Sequence, residues 1–116
     1  MKKLLLILLI FISFKSFSQD TITTAQIKDY IGKEVWVKGN VASVKLATEE
    51  NNVNYINVDK AFPQNVFTVV ITTKYLQKLK LKIENAKGKN IFVKGTIVVH
   101  GKETPQIFNP TQIQIK

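Results

Sequence analysis

The sequence predicts an all-β domain with one inserted helix: a five-stranded barrel in Greek-key order, with the helix between strands 3 and 4. Five segments alternate branched and polar residues as half-buried strands do, and one segment before the fourth strand has helical spacing. The first and fourth strands also share a pattern, because residues 32–41 read GKEVWVKGNV and residues 88–97 read GKNIFVKGTI. Each copy contains a glycine, Gly39 or Gly95, of the kind that marks a bulge or sharp bend. We therefore expect two long, bent strands that are neighbours in one small barrel.

The first 18 residues have the pattern of a secretory signal peptide. Lys2 and Lys3 precede an apolar run over residues 4–14, and Ser16 and Ser18 are small residues before a cleavage point after residue 18. The run is far shorter than the roughly 20 residues of a membrane-spanning helix, which makes a retained anchor the weaker interpretation. Residues 19–116 are then one exported domain, periplasmic or secreted, with no membrane span after cleavage.

The charge of the chain is basic and comes from lysine alone. The net charge is +9, and removal of Lys2, Lys3 and Lys15 with the signal peptide leaves it near +6. Such a charge is compatible with a polyanion partner, although solubility also explains it. Lysine acts as a point charge, whereas arginine supplies the planar fork for two-point contacts with phosphate or guanine. Any nucleic-acid binding should therefore be weakly selective for sequence and sensitive to salt.

A short helix is expected at the start of the domain, before the first strand. Thr23 or Thr24 can cap it, and Gly32 ends it. Ile27 and Ile31 lie four residues apart and are expected to cover one end of the core, with Tyr30 as a further candidate. Three predicted strands follow, over residues 34–46, 53–58 and 66–72. The first and fourth strands are alike because both must bend sharply in one barrel or, alternatively, because the segment was duplicated within the chain.

A helix over residues 74–86 interrupts the strands. Thr73 can cap it, and Gly88 lies where a left-handed cap is expected. Its apolar residues recur at helical spacing, namely Leu76, Leu79, Ile83 and Ala86. Two strands follow at residues 90–99 and 104–108, joined by a turn over residues 100–103, and residues 112–115 form an edge extension.

This order of elements is that of the OB-fold, a five-stranded Greek-key barrel. The chain also resembles a family of small bacterial exported OB-fold domains described as nucleic-acid-binding-like. The resemblance rests on YIGKEVWVKGNVASVK (30–45), NVDKAFPQNVFTVVI (57–71), GKNIFVKGTI (88–97) and PQIFNPTQIQI (105–115). These motifs belong to the scaffold, so the resemblance implies a fold and a type of binding and brings no catalytic residue.

The sequence offers no enzyme signature. It contains no cysteine, its only histidine is His100, and its acids lack metal-ligand spacing with that histidine. We therefore expect no catalytic activity and no cofactor.

Two surfaces are candidates for binding. Trp36 with Lys38, and Phe92 with Lys94, alternate on the outer side of the twin strands, where bases could stack for about 1–3 kcal/mol each. Alternatively, the N-terminal helix or the C-terminal tail covers these two rings. The second surface is the usual OB-fold face on strands 2 and 3. It would present Tyr55, Asn57, Thr68 and Val70, with His100, Lys102 and Gln106 on one side and Glu49 and Glu50 on the other.

The predicted function is that of a monomeric, exported, non-catalytic OB-fold module that binds single-stranded nucleic acid or another polyanion without sequence specificity. The alternative is a protein-interaction or structural envelope domain that presents outer apolar positions such as Val70 and Phe92 to an envelope protein. The candidate ligand-binding residues are Trp36, Lys38, Tyr55, Asn57, Thr68, Phe92, Lys94, His100 and Lys102.

Overall fold

The computed structural model describes residues 21–116, and the predicted signal peptide lies outside the described residues. This part of the chain is mostly β, with strands in an open mixed sheet of order β6-β4-β3-β2-β5-β7 and β1 beside β2. The strands are β1 (Thr21–Thr23), β2 (Glu34–Lys45), β3 (Val53–Val58), β4 (Phe67–Thr72), β5 (Asn90–Thr96), β6 (Gln106–Phe108) and β7 (Gln112–Ile115). A 3₁₀ helix spans Thr24–Tyr30, and the α-helix α1 spans Thr73–Leu79.

The twin segments are neighbours, as predicted. Strand β2 pairs antiparallel with β5 from Glu34 to Asn40 and then with β3 from Val41 onward, so β2 belongs to both halves of the sheet. The bulge in β2 lies between Val41 and Ser43, whereas the pattern placed a bulge or bend at Gly39.

The two strand glycines permit close packing of neighbouring strands. A Cβ on Gly39 would collide with the side chain of Val58, and a Cβ on Gly95 would lie 2.5 Å from Ile107 Cγ2. Both positions therefore need glycine for space, because real Cβ atoms do not approach other atoms so closely.

The carboxylate of Asp59 stabilises the point at which β2 changes its partner strand. Asp59 Oδ1 accepts a hydrogen bond of 2.9 Å from the Asn40 N–H, and Asp59 Oδ2 accepts one from the Thr24 hydroxyl. The Asp59 N–H donates to the Asn40 carbonyl over 2.7 Å. The 3₁₀ helix, the bend and the end of β3 are thus joined at Asp59.

The helix α1 is shorter than predicted. Thr72, rather than Thr73, caps it by accepting a 3.3 Å hydrogen bond from the Tyr75 N–H. The helix ends at Leu79 because Lys80 adopts the left-handed conformation with φ of 55°, the role that the pattern gave to Gly88. The helix predicted over residues 80–86 is wrong: Ile83 and Ala86 are buried, but they lie in an irregular connection.

The N-terminal helix is a 3₁₀ helix, and this changes which residues it buries. Ile27 is buried as expected, but the prediction for Ile31 is wrong, because its side chain is 47% exposed. In a 3₁₀ helix residues three apart share a face, so Tyr30 rather than Ile31 packs against the core beside Ile27. The strand β1, which the pattern did not predict, adds the buried Ile22 next to β2.

The last strands agree with the prediction in order but are shorter. β5 ends at Thr96, an isolated antiparallel bridge joins Val98 to Gln106, and β6 pairs in parallel with β4. The predicted turn over residues 100–103 is present, since the Glu103 N–H donates to the His100 carbonyl over 3.0 Å. β7 pairs antiparallel with β5, as the predicted edge extension.

The core lies between the two halves of the sheet and is aliphatic apart from one ring. Its largest fully buried side chains are those of Phe67, Ile22, Ile27, Ile56, Ile71, Ile83, Ile91, Ile97 and Ile107. Between residues 21 and 116 no helix is long and apolar enough to span a membrane.

Candidate functional site

The outer face of β2, β3, β4 and β6 carries two rows of side chains, and we call this surface the binding face. Strand register places Asn57 between Ser43 and Thr68, and Thr68 next to Gln106; these four residues form the polar row. Two residues along each strand, on the same face, the register gives a second row of Lys45, Tyr55, Val70 and Phe108. The alternate residues of the same strands, such as Val69 and Ile107, are buried in the core.

The polar row is held by side-chain hydrogen bonds that run across three strands. Asn57 Nδ2 donates to Ser43 Oγ over 2.9 Å, and Thr68 Oγ1 donates to Asn57 Oδ1 over 2.9 Å. Asn65, in the loop between β3 and β4, donates from Nδ2 to Thr68 Oγ1 over 2.6 Å. Asn57 and Thr68 are only 5% and 6% exposed. Because buried polar groups that bond one another are fixed in position, this row is a rigid polar floor.

A cavity of about 600 Å³ lies over this floor. Tyr55 and Phe62 line it together with the polar row, and Phe62 is 76% exposed. Beside Tyr55, the register places Val70 and then Phe108; Val70 is buried, whereas Phe108 is 52% exposed. The exposed ring of Phe62 at this cavity offers a face on which a planar group can stack, whereas Phe108 lies outside the lining.

The cavity carries little charge. Within residues 21–116, two lysines and one glutamate line it, namely Lys45, Lys102 and Glu103. Glu49 and Glu50 are exposed in the loop that joins β2 to β3. In the same described range, no group of three or more histidines, cysteines or acids is arranged to hold a metal ion.

The other predicted surface lies on β2 and β5, away from the cavity lining. The register sets Trp36 opposite Lys94 and Phe92 opposite Lys38, so all four side chains share the outer face of these strands. Trp36 and Phe92 are half-buried. Lys94 is 3.9 Å from Glu34 Oε1, and Lys116 Nζ lies 6.0 Å from the centre of the Phe92 ring.

The nine predicted site residues thus divide between two surfaces. Tyr55, Asn57, Thr68 and Lys102 line the cavity, and His100 lies in the adjacent turn without contributing to the lining. Trp36, Lys38, Phe92 and Lys94 lie together on the second surface.

The pattern missed Ser43, Lys45 and Phe108 on the binding face, and it missed Phe62 in the adjacent connection. Phe108 follows the buried Ile107, so strand alternation could have placed it outside, but its position beside Val70 depends on a parallel pairing that alternation does not predict. Phe62 precedes Pro63 in a connection, where periodicity carries no information about direction. Ser43 follows the bulge in β2, which changes the alternation of that strand.

The comparisons with known proteins support an OB-fold. No protein-family model matches the sequence, and no match is found among curated proteins. A protein described as an aspartyl-tRNA synthetase of Leishmania major Friedlin is similar, with a TM-score of 0.61 and 10% identity over 85% of this chain. The asparaginyl-tRNA synthetase of Entamoeba histolytica is also similar, with a TM-score of 0.58 and 17% identity over 84% of the chain.

The similar structures differ in how much of them this chain spans. It covers 21% of the Leishmania protein and 24% of the Entamoeba synthetase. It covers 91% of OBody AM1L10, which was solved bound to hen egg-white lysozyme and matches with a TM-score of 0.59 and 23% identity over 84% of this chain. At these identities the likeness shows the fold alone.

Proposed function

We propose that this chain is a non-catalytic OB-fold binding domain that holds single-stranded nucleic acid, or another polyanion, on the binding face. The observation that carries the proposal is that the exposed ring of Phe62 and the ring of Tyr55 line one cavity, whose floor is the hydrogen-bonded polar row. Two of the similar structures are tRNA synthetases, enzymes whose name records a nucleic-acid substrate, and this supports the same class of ligand.

The fold is proposed in finer detail as the five-stranded barrel of the OB-fold. Its strands would be β2, β3, β4, β5 and β6, with α1 between the third and fourth of them. Two pairings support closure: β6 lies parallel to β4, and the bridge from Val98 to Gln106 connects the end of β5 with β6. In an OB-fold the face of the second and third strands is where oligonucleotides bind, and here it carries Tyr55.

The binding face would hold a strand by stacking, with lysine at the rim. Each base that stacks on an aromatic ring contributes about 1–3 kcal/mol, whatever its identity. Lys45 and Lys102 flank the cavity and can approach the phosphates as point charges. Stacking tolerates every base, so binding of this kind has low sequence selectivity.

The direct test is fluorescence anisotropy of a labelled twelve-residue oligothymidylate titrated with the protein at low salt. Phe62→Ala should weaken binding by about 5- to 100-fold, the equivalent of one lost stacking contact. Its fold should be unaffected, because the side chain is 76% exposed. Ile31→Ala is the matched control, since Ile31 is an exposed apolar residue outside the cavity lining. Absence of binding by the wild-type protein at low salt would contradict the proposal.

A protein ligand is the second candidate, and the exposed rings favour it too. Phe62, Val66 and Phe108 expose apolar surface, and OBody AM1L10 shows that a similar fold can bind a folded protein. Capture of one defined protein that survives nuclease treatment and is lost in the Phe108→Ala variant would favour this candidate. Capture that nuclease abolishes would favour nucleic acid.

Export is part of the proposal. Cleavage after Ser18 would remove Lys2, Lys3 and Lys15 and leave a product that begins at Gln19. Mass spectrometry of the protein recovered from expressing cells should show the mass of residues 19–116. Recovery of the intact 116-residue chain alone would exclude cleavage.

A further inference from the structure

We propose that the binding face selects its ligand through the nucleobase and not through phosphate charge. The inference rests on the proposed function, because it specifies which part of a single-stranded nucleic acid the face recognises. It follows from three observations: the small charge of the cavity, the position of the other lysines, and the unused hydrogen-bonding capacity of the polar row.

The cavity is too weakly charged to be a phosphate groove. Lys45, Lys102 and Glu103 give its lining a net charge of +1 within the described residues, although residues 19–116 together have a net charge near +6. For a single strand, two lysine–phosphate contacts give a salt slope of about −1.4, so raising salt from about 50 to 200 mM weakens binding roughly sevenfold. A groove with six contacts would lose roughly 300-fold over the same range.

Many of the remaining lysines lie on other parts of the molecule. Lys74 and Lys78 are on α1, and a series of lysines occupies the connection from α1 to β5, namely Lys80, Lys82, Lys87 and Lys89. Lys80 and Lys82 line a different cavity of about 450 Å³, next to α1. The basic charge of the chain therefore contributes little local attraction at the binding face.

The polar row, in contrast, is suited to an uncharged planar partner. An asparagine amide can donate two hydrogen bonds and accept two, and Asn57 uses one of each within the row. Ser43 Oγ accepts from Asn57, which leaves its own hydroxyl proton to donate towards the cavity that Ser43 lines. Base edges present donors and acceptors side by side, whereas a phosphate presents acceptors alone.

The burial of the row strengthens this preference. Asn57 and Thr68 are nine-tenths or more buried, so a charged phosphate seated against them would lose much of its hydration. Only two lysines of the described residues, Lys45 and Lys102, line the cavity and could offset that loss, whereas a base loses far less hydration and its ring can also contact Tyr55 or Phe62. The face is therefore matched to a base with its phosphates at the rim.

The test compares three probes on the wild-type protein: a twelve-residue oligothymidylate, an abasic oligomer with the same sugar–phosphate backbone, and inorganic polyphosphate of similar charge. The oligothymidylate should bind at least about 30-fold more tightly than either of the others, because stacking requires a base. Its affinity should fall by less than about tenfold between 50 and 200 mM salt. Equal binding of the abasic oligomer, or a loss of more than about 100-fold with salt, would overturn the inference and leave the proposed function intact. Failure of all three probes to bind would instead overturn the proposed function.

A pair of variants tests whether the polar row causes the preference for a base. Ser43→Ala should weaken oligothymidylate binding by about 2- to 10-fold, the effect of one lost hydrogen bond, and leave binding of the abasic oligomer unchanged. Thr96→Ala is the control, since Thr96 is exposed at the end of β5. Thermal melting of both variants would check that each of them folds. An equal loss for both probes with Ser43→Ala, or no loss for either, would contradict recognition of the base by this row.

Discussion

Two asparagines of β3 show how the same residue type can serve the fold or the binding face. Asn54 bonds mainly to the backbone: its Oδ1 accepts from the Ala47 N–H over 2.8 Å, and its Nδ2 donates to the Ile71 carbonyl over 3.1 Å. Asn57 bonds only to the side chains of Ser43 and Thr68 on the binding face. Strand alternation places the two residues on opposite faces of β3, and only Asn57 is predicted on the binding face, but alternation does not reveal the hydrogen-bond partners of either side chain.

Asn54→Ala should therefore destabilise the protein. The variant leaves the Ala47 N–H and the Ile71 carbonyl without their partner, and an unsatisfied buried group costs about 1–3 kcal/mol. Urea unfolding measures the change in the free energy of unfolding. Asn90→Ala, at an exposed position of β5, is the control and should change it little. Similar losses for the two variants would show that the contacts of Asn54 contribute nothing specific.

At the scale of the element, the end of α1 explains why part of the helix prediction failed. Leu76, Leu79, Ile83 and Ala86 recur at helical spacing, but such spacing reports burial and not backbone conformation. The helix ends before Lys80, which is left-handed, and the irregular connection that follows still places Ile83 and Ala86 in the core. No residue type in this stretch signals the stop, since lysine is an ordinary helix former.

Lys80→Gly should raise stability. A left-handed residue other than glycine costs roughly 1 kcal/mol, which glycine avoids. For a domain of this size, that energy corresponds to a rise in melting temperature of about 4–8 °C. Lys82→Gly removes the same charge from the same connection and tests whether the gain comes from the left-handed conformation. Equal changes in the two variants would assign the effect to charge.

Gly95→Ala should lower the stability of the protein, because β5 packs closely against β6 at this position. The new Cβ would lie 2.5 Å from Ile107 Cγ2, and overpacking of this kind costs about 1–3 kcal/mol. Combining it with Ile107→Ala tests the cause, because removing that methyl group should make the two losses less than additive in urea unfolding. Strictly additive losses would exclude the clash.

At the scale of the whole molecule, the predicted order of the strands and the pairing of the twin segments are confirmed, whereas the helix over residues 80–86 is wrong and the parallel pairing of β6 with β4 was not predicted. The order of strands and the neighbouring twin segments follow from alternation and from the shared motif. Trp36 and Tyr55 are predicted from the sequence to lie on two surfaces, and the structure keeps them apart, because β2 pairs with β5 at Trp36 and with β3 beyond Val41. Phe108 joins the binding face through a parallel pairing between segments far apart in sequence.

This separation predicts what tryptophan fluorescence will report. In the wild-type protein Trp36 lies off the binding face, so oligonucleotide should change its emission little while anisotropy of the labelled probe rises. In the double variant Trp36→Phe with Tyr55→Trp, the new ring lines the cavity and its emission should fall on binding. Strong quenching in the wild-type protein and none in the double variant would place the ligand on the Trp36 surface instead.

The position of β2 in both halves of the sheet has a consequence for how the domain opens. The backbone amides near Gly39 and Asn40 lie where β2 passes from β5 to β3, and Asp59 holds that point from the side. A local fluctuation that frees one partner leaves the other in place, so these amides should exchange with deuterated water only when the whole domain unfolds. The edge strands β1 and β7, each paired on one side, should exchange much sooner.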